Sequence, residues 1–421
     1  MNGPPHNDPK RNDAVVSVAA RWVVPVDGPP VEHGVIDVEN GRIVAIHQDK
    51  GEHTLTFEDG VVIPGLVNAH THLEFSSLAT PLRAGSFSSW IRAIVSHRRE
   101  RTISNSDASA RGVLECAESG TTTVGEIATE GWSRELLAGT DLRTVAFREL
   151  IALDPDRIAS QLEIAASHLD LTSAADSAGV IAGLSPHAPY SVHPELFREI
   201  CGLAAGRKAP VAFHLAETRE ELELLERARG PLVELFREMG FWIDGQIPLR
   251  RRPLDYLLEL SVVPRGLVIH GNYLANDEID WLADHPNLSV VYCPRTHSVF
   301  GHSPHPWRRM QERGVRVALG TDSRASNPDL SLWNEVLFLR ERYPDVEPAL
   351  LLRMATLNGA IGLGLEAETG SLSPGKAADL AVIQPAQGDF ADSFAGLMSP
   401  GSRVLAAMCG GRWTFGRRVT R

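Results

Sequence analysis

Beyond residue 60 the chain repeats one pattern: a short apolar run rich in β-branched residues stops at polar ones, and a longer stretch with helical apolar spacing follows. Eight such runs occur, at 61–70 (VVIPGLVNAH), 121–127 (TTTVGEI), 143–150 (RTVAFREL), 179–187 (GVIAGLSPH), 210–217 (PVAFHLAE), 265–271 (RGLVIHG), 288–295 (LSVVYCPR) and 315–323 (VRVALGTDS). Between them, 106–120 opens on Ser/Asp capping residues and closes on Gly120, and 194–206 opens on Pro194, both helix signals. The stretch 219–236, REELELLERARGPLVELF, reads as the inward face of a barrel helix. Strands alternating with helices imply parallel βαβ units, and eight is the number that closes a (β/α)8, TIM-like barrel of the α/β class.

The flanks read differently. GVIDVENGRIVAI (34–46) is a pair of apolar runs joined at Asn40-Gly41, a hairpin signal, and short strands with Gly/Pro turns return in 370–383 and 403–419. The two ends are therefore expected to pair into a small β-sandwich domain, 14–60 with 366–421, beside a barrel at 61–365. The longest insertion, from about Gly230 to Pro253, follows the fifth run on the functional face, where a lid would sit.

Composition narrows the partners. With 43% hydrophobic and 22% charged residues the chain is near the globular average, and no stretch of about 18 apolar residues is present to span a membrane. A net charge of -12 argues against nucleic-acid binding, which calls for a basic face. A small molecule is the expected partner, and self-association into a homo-oligomer stays open. The first thirteen residues, MNGPPHNDPKRND, lack the apolar core of a secretory signal and read as a disordered leader. Four cysteines, Cys116, Cys201, Cys293 and Cys409, lack CxxC spacing and fit buried structural thiols in a reducing cytoplasm.

The chemistry lies where the runs stop. His70 and His72 are two apart at the end of the first run, so both side chains take one face and can reach one ion. Alone, such a pair more often marks strand-end histidines bonded to backbone. His214 and Asp322, also at run ends, complete three imidazoles and one carboxylate, a tetrahedral set suited to zinc, with iron(II) accepting the same donors. A divalent ion there lowers the pKa of bound water to about 7, a hydrolytic design. A two-metal site would call for a bridging carboxylated lysine. The chain has only Lys10, Lys50, Lys208 and Lys376, none at the end of a run, so one metal is expected. Glu217, three residues past His214, can protonate a ring nitrogen during aromatic deamination, or else cap the helix starting near Thr218. His270, ending the sixth run, can hold the attacking water and pass its proton with Asp322, or be a core histidine.

PGLVNAHTHLE, SPHAPYSVHPE, FHLAETREE, IHGNYL, CPRTHSVFG, LGTDSRASNPDLSLWNE, ATLNGA and LSPGKAADLAVI together resemble the amidohydrolase superfamily, in its branch of chlorohydrolases and methylthioadenosine/S-adenosylhomocysteine deaminases. The resemblance runs from about Val15 to the C-terminus. It implies a zinc-bearing distorted barrel with a composite β-sandwich. It also implies His70, His72, His214 and Asp322 as metal ligands, Glu217 as proton donor to the ring, and His270 with Asp322 as the groups that activate water. His187 and Arg148 match positions on the substrate's sugar side, and Trp90 an aromatic pocket residue.

The departures matter for substrate. Where many nucleoside deaminases carry a glutamate before the tryptophan to hold ribose hydroxyls, this chain has Ser89, and Glu74 is a candidate replacement. After the seventh run, Arg295, His297, His302 and His305 are expected near the pocket mouth, available to an anionic group, unless Arg295 pairs with a barrel carboxylate such as Glu126. HTHLEFS with SFSSWIRAIV resembles the aminodeoxyfutalosine deaminases, whose substrate carries an adenine and a benzoate. The expected activity is thus deamination of a 6-aminopurine nucleoside. The alternatives are hydrolysis of another C–N or C–Cl bond on a heteroaromatic ring, of guanine, pterin or triazine type, and a noncatalytic binding protein on the same fold.

Overall fold

The computed structural model describes residues 15–49, 51, 53–83, 85–137, 140–171, 179–386 and 392–416; the expected leader lies outside them. Four N-terminal strands, β1 (Val16–Val23), β2 (Val31–Glu39), β3 (Arg42–Gln48) and β4 (Leu55–Pro64), come first. Eight follow: β5 (Leu66–Thr71), β6 (Thr121–Ala128), β7 (Arg143–Leu150), β8 (Val180–Pro186), β9 (Val211–Leu215), β10 (Gly266–His270), β11 (Leu288–Tyr292) and β12 (Val317–Leu319). The last three are β13 (Leu380–Gln384), β14 (Arg403–Cys409) and β15 (Arg412–Phe415).

Strands β5 to β12 form one parallel sheet in chain order, and a parallel bridge between Thr71 and Asp322 joins its two edges. The result is a (β/α)8 barrel. The remaining seven strands form a second sheet in the order β15-β14-β13-β4-β1-β2-β3, so both chain ends build the small β domain. Its core is aliphatic, with Val18, Ile36, Ile43, Val62, Leu380 and Val382 buried together. Inside the barrel, Val145, Phe147, Leu267 and Ile269 pack below the mouth.

Local sequence explains most boundaries. Asn40 and Gly41 both take left-handed φ values (52° and 79°), as a two-residue hairpin loop requires. The run 61–70 is not one strand. Pro64 ends β4 in the terminal sheet and Leu66 begins β5 in the barrel. The chain changes sheets at Gly65, where a Cβ would lie 2.1 Å from Thr122 Oγ1, so glycine alone lets the strands approach. The helix Asn105–Glu118 is capped by Ser104, whose hydroxyl accepts the Asp107 N–H, two residues before the expected capping residue. Pro194 occupies the first turn of the helix Pro194–Arg207. The stretch 219–236 breaks into Arg219–Arg227 and Pro231–Glu238, because Ala228 and Gly230 turn left-handed and Pro231 has no N–H to continue the ladder. All four cysteines are buried and unpaired, and no described helix is long and apolar enough to cross a membrane.

Candidate active site

The ends of β5, β9, β10 and β12 converge at the C-terminal mouth of the barrel, and the backbone there is bent out of strand geometry. Ala216 (φ 54°), His270 (φ 68°) and Asp322 (φ 56°) are all left-handed, a conformation that costs a residue with a Cβ roughly 1–2 kcal/mol. Each is tied down. Glu221 Oε1 accepts the Ala216 N–H at 2.8 Å, His305 Nε2 donates to the His270 carbonyl at 2.8 Å, and the Thr71 hydroxyl donates to the Asp322 carbonyl at 3.0 Å. These bends aim side chains into the mouth instead of along the barrel wall.

His70, His72 and His214 bring one ring nitrogen each within 4.8 Å of the others, all buried. The Nε2 atoms of His72 and His214 are 3.4 Å apart, and Asp322 Oδ1 lies 3.6 Å from His70 Nε2 and 3.7 Å from His72 Nε2. An ion held at about 2.1 Å by tetrahedral donors separates them by about 3.4 Å, so the spacing fits a divalent metal. Neither ring nitrogen of His70 has a hydrogen-bond partner among the described residues, as a ligand awaiting an ion requires. His214 Nδ1 donates to the His187 carbonyl at 2.9 Å, which fixes the tautomer and leaves Nε2 with its lone pair free. Burial pushes the pKa of His72 and His214 well down, keeping both rings neutral. Burial opposes ionisation of Asp322, but the rings of His70 and His270 and the Ser326 hydroxyl, 2.6 Å from Oδ2, outweigh it and hold the carboxylate charged.

Glu217 stands beside this set without joining it. Its carboxyl is 3.6 Å from His270 Nε2. Its backbone is clamped on both sides, the N–H donating to Glu221 Oε2 at 2.8 Å and the carbonyl accepting from Asn272 Nδ2 at 2.9 Å. Burial, with the like charges of Asp322 and Glu221, pushes its pKa well up, which favours the protonated carboxyl. His270 is held neutral, its pKa pulled down by burial to about 3. A proton donor and a neutral acceptor thus flank one point of a polar mouth. Glu221 and Asn272, which set this geometry, went unread in the sequence, although Thr218 and Glu221 have capping-box spacing.

A cavity of about 460 Å3 opens above these groups. Trp90 lines it, with its indole N–H on the Ala325 carbonyl at 3.1 Å, as does His187, whose Nδ1 meets the Ser191 hydroxyl at 2.7 Å. The expected insertion supplies its outer wall through Phe236, Met239, Phe241 and Ile243.

Four expected substrate contacts do not line the cavity. Glu74 is bonded to Arg98 at 2.5 Å and Arg101 at 3.1 Å, which hold it below the floor. Arg148 is on the outer face of β7, because alternation turns Phe147 and Glu149 inward. Arg295 is consumed by Asp329 (2.6 Å) and Glu335 (2.7 Å), not by Glu126, whose carboxylate accepts the Leu73 N–H. His297 is buried against Tyr292, His302 and His305. The cations that do line the cavity are Arg98 and Arg157, which no motif marked.

Comparison with known proteins agrees with this architecture. Over 311 residues the chain is 33% identical to the aminodeoxyfutalosine deaminase of Deinococcus radiodurans, covering 71% of this chain and 72% of that protein. Over 387 residues it is 31% identical to the 5-methylthioadenosine/S-adenosylhomocysteine deaminase of Moorella thermoacetica, covering 87% and 84%. A zinc-bound adenosine deaminase from Xanthomonas campestris superposes with a TM-score of 0.75 at 25% identity over 94% of this chain and 92% of that one. The model of the amidohydrolase family matches residues 61–414, and with the barrel and its histidine centre this makes the chain a member of the amidohydrolase family.

Proposed function

We propose that the protein is a metal-dependent aminohydrolase that converts a 6-aminopurine nucleoside and water to the 6-oxo product and ammonia. The observation that carries this reading is the buried Glu217 carboxyl 3.6 Å from His270 Nε2 beside a three-histidine, one-aspartate donor set, in surroundings that favour the protonated acid and the neutral ring. His70, His72, His214 and Asp322 would hold the ion, and zinc is favoured by its imidazole donors. When bound, the ion supplies hydroxide at neutral pH. Glu217 then protonates the ring nitrogen as the C–O bond forms at the amine-bearing carbon, and His270 with Asp322 receives the proton of the attacking water. That proton passes to the departing amine, so the C–N bond breaks as ammonia leaves, and the hydroxyl proton of the adduct returns to Glu217 as the 6-oxo product forms. Deaminating relatives at 33% and 31% identity support the adenine ring, and the first of them supports aminodeoxyfutalosine as the particular substrate.

The test is ammonia release by metal-replete protein from aminodeoxyfutalosine, methylthioadenosine, S-adenosylhomocysteine, adenosine, guanine and a chlorotriazine. Preference for aminodeoxyfutalosine is the expected result. Turnover confined to guanine or the triazine would keep the metal site and overturn the substrate class.

A further inference from the structure

Of the carboxylates that line the cavity, Glu217 and Asp322 belong to the chemistry, and Asp154 accepts the Asp156 N–H at 3.0 Å as a cap. Glu149 is different. It points inward from β7, its side chain is 10% exposed, and its carboxylate receives no hydrogen bond among the described residues. The nearest cation, the Arg98 guanidinium, is 3.9 Å away and already bonded to Glu74 at 2.5 Å. A carboxylate so far removed from water is costly unless donors reach it. Ser89, in the place where a sugar-binding glutamate was expected, is exposed, with its hydroxyl 2.8 Å from Ser86 Oγ and no share in the lining.

Resting on the deaminase reading above, we infer that Glu149 is the acceptor for the vicinal 2′- and 3′-hydroxyls of the substrate's ribose. Two neighbouring hydroxyls present two O–H donors to the two carboxylate oxygens; burial pushes the Glu149 pKa up and Arg98 opposes it, so donors from a bound diol favour the charged form that burial disfavours. The ligand class is therefore a ribonucleoside with a free diol.

The experiment compares kcat/KM for adenosine, 2′-deoxyadenosine and 3′-deoxyadenosine in the wild type, Glu149→Gln and Glu149→Ala, with melting curves for all three proteins. The wild type is expected to prefer adenosine by roughly 10- to 100-fold, the worth of a hydrogen bond to a buried charge. Glu149→Ala is expected to bring that ratio close to one, with Glu149→Gln between. A wild type that deaminates both deoxynucleosides as well as adenosine overturns the assignment without recourse to any variant. A folded variant that keeps the wild-type ratio overturns it too, and reduces Glu149 to a counter-ion of Arg98. A wild type that releases no ammonia from adenosine, methylthioadenosine or aminodeoxyfutalosine removes the deaminase reading instead, an outcome distinct from turnover without preference for the diol.

Discussion

The terminal sheet and the mouth of the barrel are spelled with similar runs of valine, isoleucine and alanine, yet they treat the backbone in opposite ways. In the sheet, the left-handed non-glycine residues Val26, His33 and Asn40 are at least partly exposed. At the mouth, Ala216, His270 and Asp322 are left-handed at 0%, 3% and 4% exposure. The sheet's inward face is aliphatic, whereas the mouth buries four imidazoles and two carboxylates within contact of one another. Strain and buried polarity together mark the place where the fold yields local stability to chemistry.

The sharpest way to break that contrast is at Glu217. Glu217→Gln removes the proton but not the shape, and kcat is expected to fall by roughly 10^2 to 10^4-fold, the range for a general acid. Metal content, measured by elemental analysis, should match the wild type, since Glu217 is no member of the donor set. A variant retaining most of its turnover would show that the mouth's buried acid is structural, like any polar group in the sheet.

A smaller effect is expected one shell out. Glu221 takes the N–H groups of Ala216 and Glu217 at 2.8 Å each, and an amide in its place can accept with only one oxygen. Glu221→Gln should lower kcat by roughly tenfold with little change in KM, because a small misplacement of Glu217 costs rate, not binding. Proportional changes in kcat and melting temperature would instead assign Glu221 to the helix cap alone.

These two residues also show what the sequence makes legible. The ends of apolar runs locate strand ends, so the positions of His70, His72, His214, His270 and Asp322 could be read directly. Glu221 could not be read as a clamp, because its reach depends on the left-handed turn at Ala216, an alanine with no local signal for it. On β7 the resemblance assigns Arg148 to the substrate's sugar side, whereas Val145 and Phe147 fix the inner register and pass the cavity position to Glu149. Arg295 pairs with groups 34 and 40 residues away, a contact that no spacing rule shows. The barrel's eight strands were legible for the opposite reason, each being defined by its own composition, and only the run at 61–70 misled, because two sheets share it at Gly65.

The sheet should answer in stability where the mouth answers in rate. Ile36 is fully buried in the terminal core, and Ile36→Ala is expected to cost about 2–5 kcal/mol in urea unfolding through lost burial and a cavity. The kcat of the folded fraction should stay within about twofold. A large fall in kcat at unchanged concentration of folded protein would mean that the sheet sets the geometry of the mouth, and the two regions would cease to be separable.

The smallest expected effect concerns the histidines behind β11, expected in the substrate pocket but packed against one another. Burial pulls the pKa of His297 and His302 to about 4 and that of His305 to about 3, against 6.5 when unfolded. Between those values the unfolded chain binds more protons than the folded one, so stability rises with pH across that window and is lost as pH falls below about 6.5. His297, neither of whose ring nitrogens has a partner among the described residues, can be replaced by leucine without stranding a donor. His297→Leu should flatten the pH dependence of the urea-derived unfolding free energy between pH 4.5 and 6.5 by at most about 1.4 kcal/mol per pH unit, the worth of one proton. An unaltered slope would place the proton uptake elsewhere in the mouth, and the acid sensitivity of the fold would then belong to the chemistry instead of to the packing behind it.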